Sequence, residues 1–225
     1  FRAHERYGYL PWKVLVQPAI DLAQEGFPIT QRQAEEFNNF KNEFLKWNDT
    51  TYYVPLVHPK SWEARYYLAQ PNLARTLTLI RDKGCNGFYS GKTAENIVKE
   101  MKRGGGIISL DDLKNYSSKW REPIVGWYKD YKIISMPPPS SGGIALVQLL
   151  NMVENFPVKD LGFNTAKSIH LFAEAEKKVY ADRAHYLGDP EFCTGPVKQL
   201  LDSLYIISRM KDFKPDKAKP SAEIA

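Results

Sequence analysis

Most of the chain repeats its apolar residues at helical spacing, and one stretch does not. In "PIVGWYK" and "YKIISMP", on either side of Asp130, the period becomes two. That is the alternation of a strand with one buried face, and it predicts a strand pair at about 124–136. "PPPSSGG" then turns the chain, and Ile144 to Phe156 is apolar nearly all round, the pattern of a buried helix. Two strands feeding such a helix describe a sheet with a helix laid on it. Two strands are too few to stand as a sheet, so the rest of that sheet is expected from residues this chain lacks.

Helices surround this region. Pro11 suits a first helical turn; Trp12, Leu15, Val16, Ala19, Ile20 and Ala23 follow at helical spacing, and Gly26 is a stop. Thr30 with Gln33 has capping-box spacing and predicts a helix to about Lys46. "NDTTYYVPLVHPKSWEARYY" reads as an irregular loop with one short strand. Pro71 opens the next helix, which carries Leu73, Leu77 and Ile80 on one face and ends at Gly84. Ala94, Ile97, Val98 and Met101 mark another, stopped by "RGGGI", and Ser109 with Asp112 caps a short one. Asn164 is expected to cap a long helix to about Leu187, and a last helix runs from about Pro196 to Met210. The fold class is mainly α with a few short β-strands. Residues 1–212 read as a single helical-rich segment. Residues 213–225, rich in Lys, Pro and Ala with little to bury, read as a flexible C-terminal tail.

Composition narrows the function classes. Of 225 residues, 43% are hydrophobic and 25% charged, as in an ordinary soluble protein. The net charge is +5, but basic and acidic residues are interleaved; even Lys99–Arg103 is interrupted by Glu100. No nucleic-acid motif accompanies the charge, and no apolar run reaches the length of a membrane span. Cys85 and Cys193 form no CxxC pair; they could bond to each other if the fold brings them close, but the expectation is that both are unpaired and buried. The start at Phe1 and the tail at the other end give the chain the look of a piece of something longer.

The search for chemistry within the chain assigns no site. A nucleophile elbow needs small residues on both sides of its serine; Ser140 and Ser141 have prolines on one side. Ser208 and Lys211 have Ser-x-x-Lys spacing without its companion motifs and read as a helix end. "SGKT" at Ser90–Thr93 lacks the upstream glycine of a phosphate loop. His4, His58, His170 and His185 are far apart, and the two on one helix are separated by over about 20 Å of rise. Asn48-Asp49-Thr50 and Asn115-Tyr116-Ser117 fit a glycosylation sequon and receive no role. In "YADRAHYLGDPEF", Arg183 is expected on carbonyls or a carboxylate at a capped helix end. Asp182 and Asp189 could instead bind a cation or a substrate amine. For the "PPPSSGG" turn the structural reading is a corner: prolines stiffen the strand exit, a serine caps the helix, and glycines allow close packing; the alternative is an anion site on the turn's free N–H groups.

"SMPPPSSGGIALVQLLNMVENF" and "EAEKKVYADRAHYLGDPEF", with "QPAIDLAQEGFPI", "LAQPNLARTLTLI", "FYSGKTAENIVKEM" and "GGGIISLDDLKNY", occur in an order that resembles the gamma-glutamyltranspeptidase family over most of the chain. The resemblance implies a precursor that cuts itself into a large and a small subunit. It implies an αββα N-terminal-nucleophile hydrolase sandwich, two sheets between helical layers, completed by the small subunit. The nucleophile would be the threonine at the small subunit's new N-terminus, with its own α-amine as base. The reaction would transfer or hydrolyse the γ-glutamyl group of glutathione and related compounds through an acyl-enzyme. This chain resembles the later part of the large subunit, with the tail leading toward the cleavage site. The threonine is therefore expected beyond Ala225 and the arginine that grips the substrate carboxylate before Phe1. No catalytic, cofactor-binding or metal residue is assigned inside the chain, no cofactor is implied, and the chain alone is expected to be inactive. The expected partners are the small subunit, seated on an apolar surface around the strand pair, and a small γ-glutamyl peptide substrate. Family habit places such proteins in the periplasm or outside the cell. Two other readings remain: a non-catalytic helical interaction module of the same ancestry, and a related amidase acting on poly-γ-glutamate or β-lactam side chains.

Overall fold

The computed structural model describes residues 1–48, 54 and 56–224. Where the sequence reads as one helix-rich segment, separate sets of buried side chains divide it into two compact units, Phe1–Ser118 and Lys119–Ala225.

The first unit runs α1 (Arg2–Tyr7), α2 (Trp12–Glu25), β1 (Phe27–Pro28), α3 (Gln31–Asn39), α4 (Lys41–Trp47), β2 (Tyr67–Leu68), α5 (Pro71–Lys83), α6 (Asn86–Tyr89), α7 (Gly91–Arg103) and α8 (Leu110–Asn115). The apolar stripes of α2 and α5 meet: Ile20, Ala23 and Ala74 are buried with Val16 and Leu77 beside them. The Trp12 indole N–H donates to the Ile80 carbonyl (3.1 Å), and the Gln70 N–H donates to the Ala23 carbonyl (2.7 Å). Thr30 forms the expected capping box, its hydroxyl accepting from the Gln33 N–H (3.2 Å) while the Gln33 side chain accepts from the Thr30 N–H (2.9 Å). That helix stops at Asn39 rather than Lys46, and Phe40 interrupts it at φ −93°, ψ 5°. The break falls where the Asn38 carboxamide binds both backbone groups of Trp62, donating to its carbonyl (2.9 Å) and accepting from its N–H (2.8 Å). Trp62 is itself buried against Ile29, Ala34 and Leu68, so this pairing ties the helix end to the loop. Among the described residues of the loop the short strand is β2, antiparallel to β1 with Phe27 opposite Leu68. Of the first sequon, Asp49 and Thr50 lie outside the described residues.

The second unit runs β3 (Ile124–Tyr128), β4 (Tyr131–Ser135), α9 (Gly142–Glu154), α10 (Val158–Leu161), α11 (Ala166–Tyr186), α12 (Val197–Leu200) and α13 (Ser203–Arg209), then a 3-10 turn at Ser221–Glu223. β3 and β4 pair antiparallel, from Ile124 opposite Ser135 to Tyr128 opposite Tyr131. Their inner face, with Ile124 and Ile133, packs on α9 through Ile144 and Val147, with Leu200 beside them. Gly126 is the contact point: a Cβ there would stand 2.6 Å from both Val147 methyls. α9 also grips the hairpin by hydrogen bonds, Asn151 donating to the Trp127 carbonyl (2.6 Å) and Glu154 accepting from the Lys129 N–H (2.6 Å). On its other side α9 meets α11 and α13 in the main core of Met152, Val153, Leu171, Ala175, Val179, Ile206 and Met210. Full burial of side chains of this size contributes about 1.5–3 kcal/mol each.

Two boundaries differ from expectation. Thr165, not Asn164, caps α11, its hydroxyl accepting from the Ser168 N–H (3.3 Å), while Asn164 takes the left-handed conformation (φ 52°) that Asn tolerates and leads into the cap. The last helix is broken after Leu200, because the Asp202 side chain accepts from the Tyr205 N–H (3.0 Å) and so starts a new helix. Both cysteines are free, and both are exposed rather than buried: Cys85 stands at the turn into α6 and Cys193 in the loop after α11. Among the described residues the chain is mostly helical, with two sheets of two strands each. No described helix is long and apolar enough to cross a membrane.

Candidate functional site

The corner between β4 and α9 carries the most distinctive sequence, and its polar groups are occupied by structure. The Pro138–Pro139 bond is cis. The Ser140 N–H returns to the Pro137 carbonyl (3.1 Å), and its hydroxyl accepts from the Gly142 N–H (3.3 Å) two residues on; the N-cap of α9 is Ser141, which makes no side-chain cap hydrogen bond, so a serine shapes the turn into the helix rather than capping it as expected. The Ser141 hydroxyl accepts from Nε of Arg183 (2.8 Å) on α11. Arg183 thus binds a serine rather than a carbonyl or carboxylate, and its guanidinium also lies over the Tyr180 ring, 5.9 Å from the centroid. Gly143 is buried because the strand exit crosses it: a Cβ would stand 2.3 Å from the Met136 carbonyl oxygen and 3.1 Å from the Ile124 Cβ. The corner fastens β4, α9 and α11 together.

Beside it lies a groove of about 780 Å³ lined by Arg121, Ile134, Met136, Pro139 and Ser140 among others. Its cations are engaged: Lys119 (2.6 Å) and Arg121 (2.8 Å) both meet Glu191, and Arg121 approaches Asp189 at 3.9 Å. Lys119, then Arg121, hold the Glu191 carboxyl below the usual carboxylate range, against a smaller opposing effect of burial. Asp189 accepts from the Glu191 N–H (3.1 Å) and so shapes the turn after α11. The outer face of the hairpin presents Val125, Trp127 and Ile134 to solvent, with Met136 following, at 46–65% exposure. This is the apolar surface expected around the strand pair.

Asp182 and Asp189 are not brought together. Asp182 is 3% exposed and fully engaged: it accepts from Gln148 (3.1 Å) and the Tyr205 hydroxyl (2.9 Å) and pairs with Arg209 (3.0 Å). Burial first, and the bond to Asp182 second, push the Tyr205 phenol up to about 12. Asp182 is one of three buried charges on α11, the others being Glu174 and Lys178. Of these three, only Asp182 stands out from the sequence alone. The spacing of four residues beside the apolar stripe Leu171, Ala175 and Val179 was the available signal.

The remaining candidates have local roles. Thr93 is buried and donates to the Gly87 carbonyl (2.9 Å), and Ser90 donates to the Asn86 carbonyl (2.8 Å), so "SGKT" packs a helix start. Ser208 donates to the Tyr205 carbonyl (2.6 Å) at its helix end. His4 bonds the Leu10 carbonyl (2.7 Å), His170 the Lys214 carbonyl (2.8 Å), His58 lies between Trp62 and Tyr66, and His185 lies edge-on to Tyr186. Among the described residues no group of three His, Cys, Asp or Glu side chains could hold a metal.

Known proteins share this architecture and sequence. The chain is 40% identical over 222 residues to the glutathione hydrolase proenzyme of Escherichia coli (strain K12), covering 99% of this chain and 38% of that protein. It is 36% identical over 214 residues to the acylase ACY 1 proenzyme of Pseudomonas sp. (strain SE83), covering 95% and 38% respectively. The crystal structure of Helicobacter pylori gamma-glutamyltranspeptidase superimposes with a TM-score of 0.92 at 42% identity, over 99% of this chain and 64% of that one. The chain thus spans about two fifths of the length of these curated relatives. The family profile for gamma-glutamyltranspeptidase matches residues 1–225. By sequence and by superposition, the chain belongs to the gamma-glutamyltranspeptidase family.

Proposed function

We propose that this chain is the later part of the large subunit of an enzyme that moves or hydrolyses γ-glutamyl groups, and that it works as scaffold. The observation that carries the reading is the family match over residues 1–225. The nucleophile in this reading is a threonine beyond Ala225, freed as the N-terminus of a small subunit when the precursor cuts itself. Its hydroxyl attacks the γ-carbonyl of the substrate while its α-amine takes the proton. The amine of the substrate leaves with a proton, and the γ-glutamyl ester is resolved by water or by an acceptor amine.

The chain's own residues supply position. The corner at Ser140–Gly143 locks α9 under the hairpin, and the hairpin offers its outer apolar face, Val125, Trp127 and Ile134, to further strands. Covering that face with a sheet of the small subunit would complete the sandwich. Relatives named glutathione hydrolase and acylase share this stretch. That pattern fits a buttress whose partners choose the acyl group.

The test uses the full-length precursor. After processing it should release the chromophore from a chromogenic γ-glutamyl amide, faster when an acceptor dipeptide is added. A processed protein that leaves the amide intact contradicts the reading.

A further inference from the structure

The C-terminal stretch has little apolar surface, yet it is held. Along one face of α11, His170, Glu174, Lys178 and Asp182 stand four residues apart, about 6 Å per step along the axis. Each faces a group from the chain after α12. His170 donates to the Lys214 carbonyl (2.8 Å), and Phe213 packs edge-on against Phe156, with ring centroids 5.2 Å apart. Glu174 accepts from the Lys219 N–H (3.2 Å) and from the Lys177 ammonium (2.6 Å), which itself donates to the Lys219 carbonyl (2.8 Å). Both backbone groups of residue 219 are therefore gripped. Lys178 donates to the Arg209 carbonyl (2.6 Å) and pairs with Asp212, which also receives the Lys219 ammonium (2.8 Å). Asp182 pairs with Arg209 and Tyr205. Past this clamp, Ser221 and Ile224 line a groove with Ala173, Lys177, Tyr180 and Ala181 on the neighbouring side of α11.

Burying charges costs several kcal/mol per ion unless each is paired and hydrogen-bonded. A helix packed only for stability has cheaper options. Of the three, Glu174 grips the C-terminal stretch directly at Lys219, Lys178 reaches it through Asp212, and Asp182 anchors the preceding helix through Tyr205 and Arg209, so polar geometry fixes the path where apolar contact would allow sliding. Asp212 is the shared member, joining the buried Lys178 of α11 to Lys219 of the stretch.

We infer that Asp212, with Lys178 and Lys219, is a positioning residue for self-processing: the charge ladder on α11 sets the course of the segment that leads to the cleavage point. This rests on the reading that the chain is cut beyond Ala225. Misplacement of reacting groups by about 1 Å can slow a step on the order of a hundredfold, so a released ladder should slow cleavage by about tenfold or more.

The experiment follows self-cleavage of the full-length precursor on denaturing gels, for wild type, Asp212→Ala, Asp212→Glu and Lys219→Ala. Hydrogen exchange over residues 213–224 is read in parallel. The expected result is slow cleavage with faster exchange in Asp212→Ala and Lys219→Ala, and recovery toward the wild-type rate in Asp212→Glu. Lys219→Ala leaves the buried Lys178 with its carboxylate, so it decides the matter if Asp212→Ala does not fold. Wild-type cleavage rates in both Asp212→Ala and Lys219→Ala overturn the inference and leave the processing reading intact. A wild-type precursor that stays whole overturns the processing reading, and the inference with it.

Discussion

Adjacent glycines at the start of α9 should respond oppositely to the same substitution. A Cβ on Gly143 would lie 2.3 Å from the Met136 carbonyl oxygen and 3.1 Å from the Ile124 Cβ. The first obstacle is backbone, so relief requires moving the strand exit or the first turn of the helix. Overpacking costs about 1–3 kcal/mol where side chains can yield, and the rigid neighbour puts this site at about 3. Replacing glycine by alanine in a helix returns about 0.5–1 kcal/mol, which leaves Gly143→Ala destabilised by about 2 kcal/mol. On Gly142 the same Cβ would meet only the Ser140 hydroxyl, at 3.5 Å, an ordinary contact. Gly142→Ala should therefore gain about 0.5 kcal/mol from propensity alone. Urea titrations of the chain, followed by tryptophan fluorescence with slopes compared, read the difference. A Gly143→Ala variant as stable as Gly142→Ala would refute the close approach, and with it the description of the corner as a packing joint.

Three further predictions concern single contacts. Asp182→Ala leaves Arg209 without its buried carboxylate and should cost about 3–5 kcal/mol in urea unfolding; a loss below 1 kcal/mol by the same titration would contradict the network. The Asp212 carboxyl is lowered to about 2, first by Lys178 and then by Lys219, with burial opposing. Its folded value lies below its unfolded value, so its stabilisation is complete above about pH 4 and disappears as pH falls through about 2. By linkage the displacement is worth about 2.5 kcal/mol, and screening at a half-exposed carboxylate leaves about 1. Asp212→Asn should flatten stability against pH across that window, and an unchanged acid limb would count against the pair. Thr30→Ala removes one half of a formed capping box and should lower stability by about 1 kcal/mol in thermal or urea unfolding; no change would mean that the box does not hold α3.

What the sequence disclosed was the local chemistry. Both capping boxes, at Thr30–Gln33 and Ser109–Asp112, form as their spacing requires. The strand pair is legible because period-two alternation and the two-residue turn are both contained in a dozen residues. Features set by distant partners were not legible. The break at Phe40 depends on Trp62, more than twenty residues on, and the stop at Leu200 depends on which of several polar residues takes the capping role. The charge ladder is the clearest case. Glu174 and Lys178 look like solvated charges until Asp212 and Lys219 arrive from over thirty residues away. The corner follows the same rule: the stiff turn and the close-packed glycine are local and legible, whereas Ser141 stands at the N-cap without capping and instead receives Arg183, forty-two residues later.

The proposal beneath all of this is that the chain buttresses a reaction centre whose nucleophile lies on another segment. The most direct test is turnover of a chromogenic γ-glutamyl amide by purified chain 1–225, assayed alone and again after addition of the small subunit. The account predicts no chromophore release by the chain alone and release once the small subunit is present. Steady turnover by the isolated chain would contradict it.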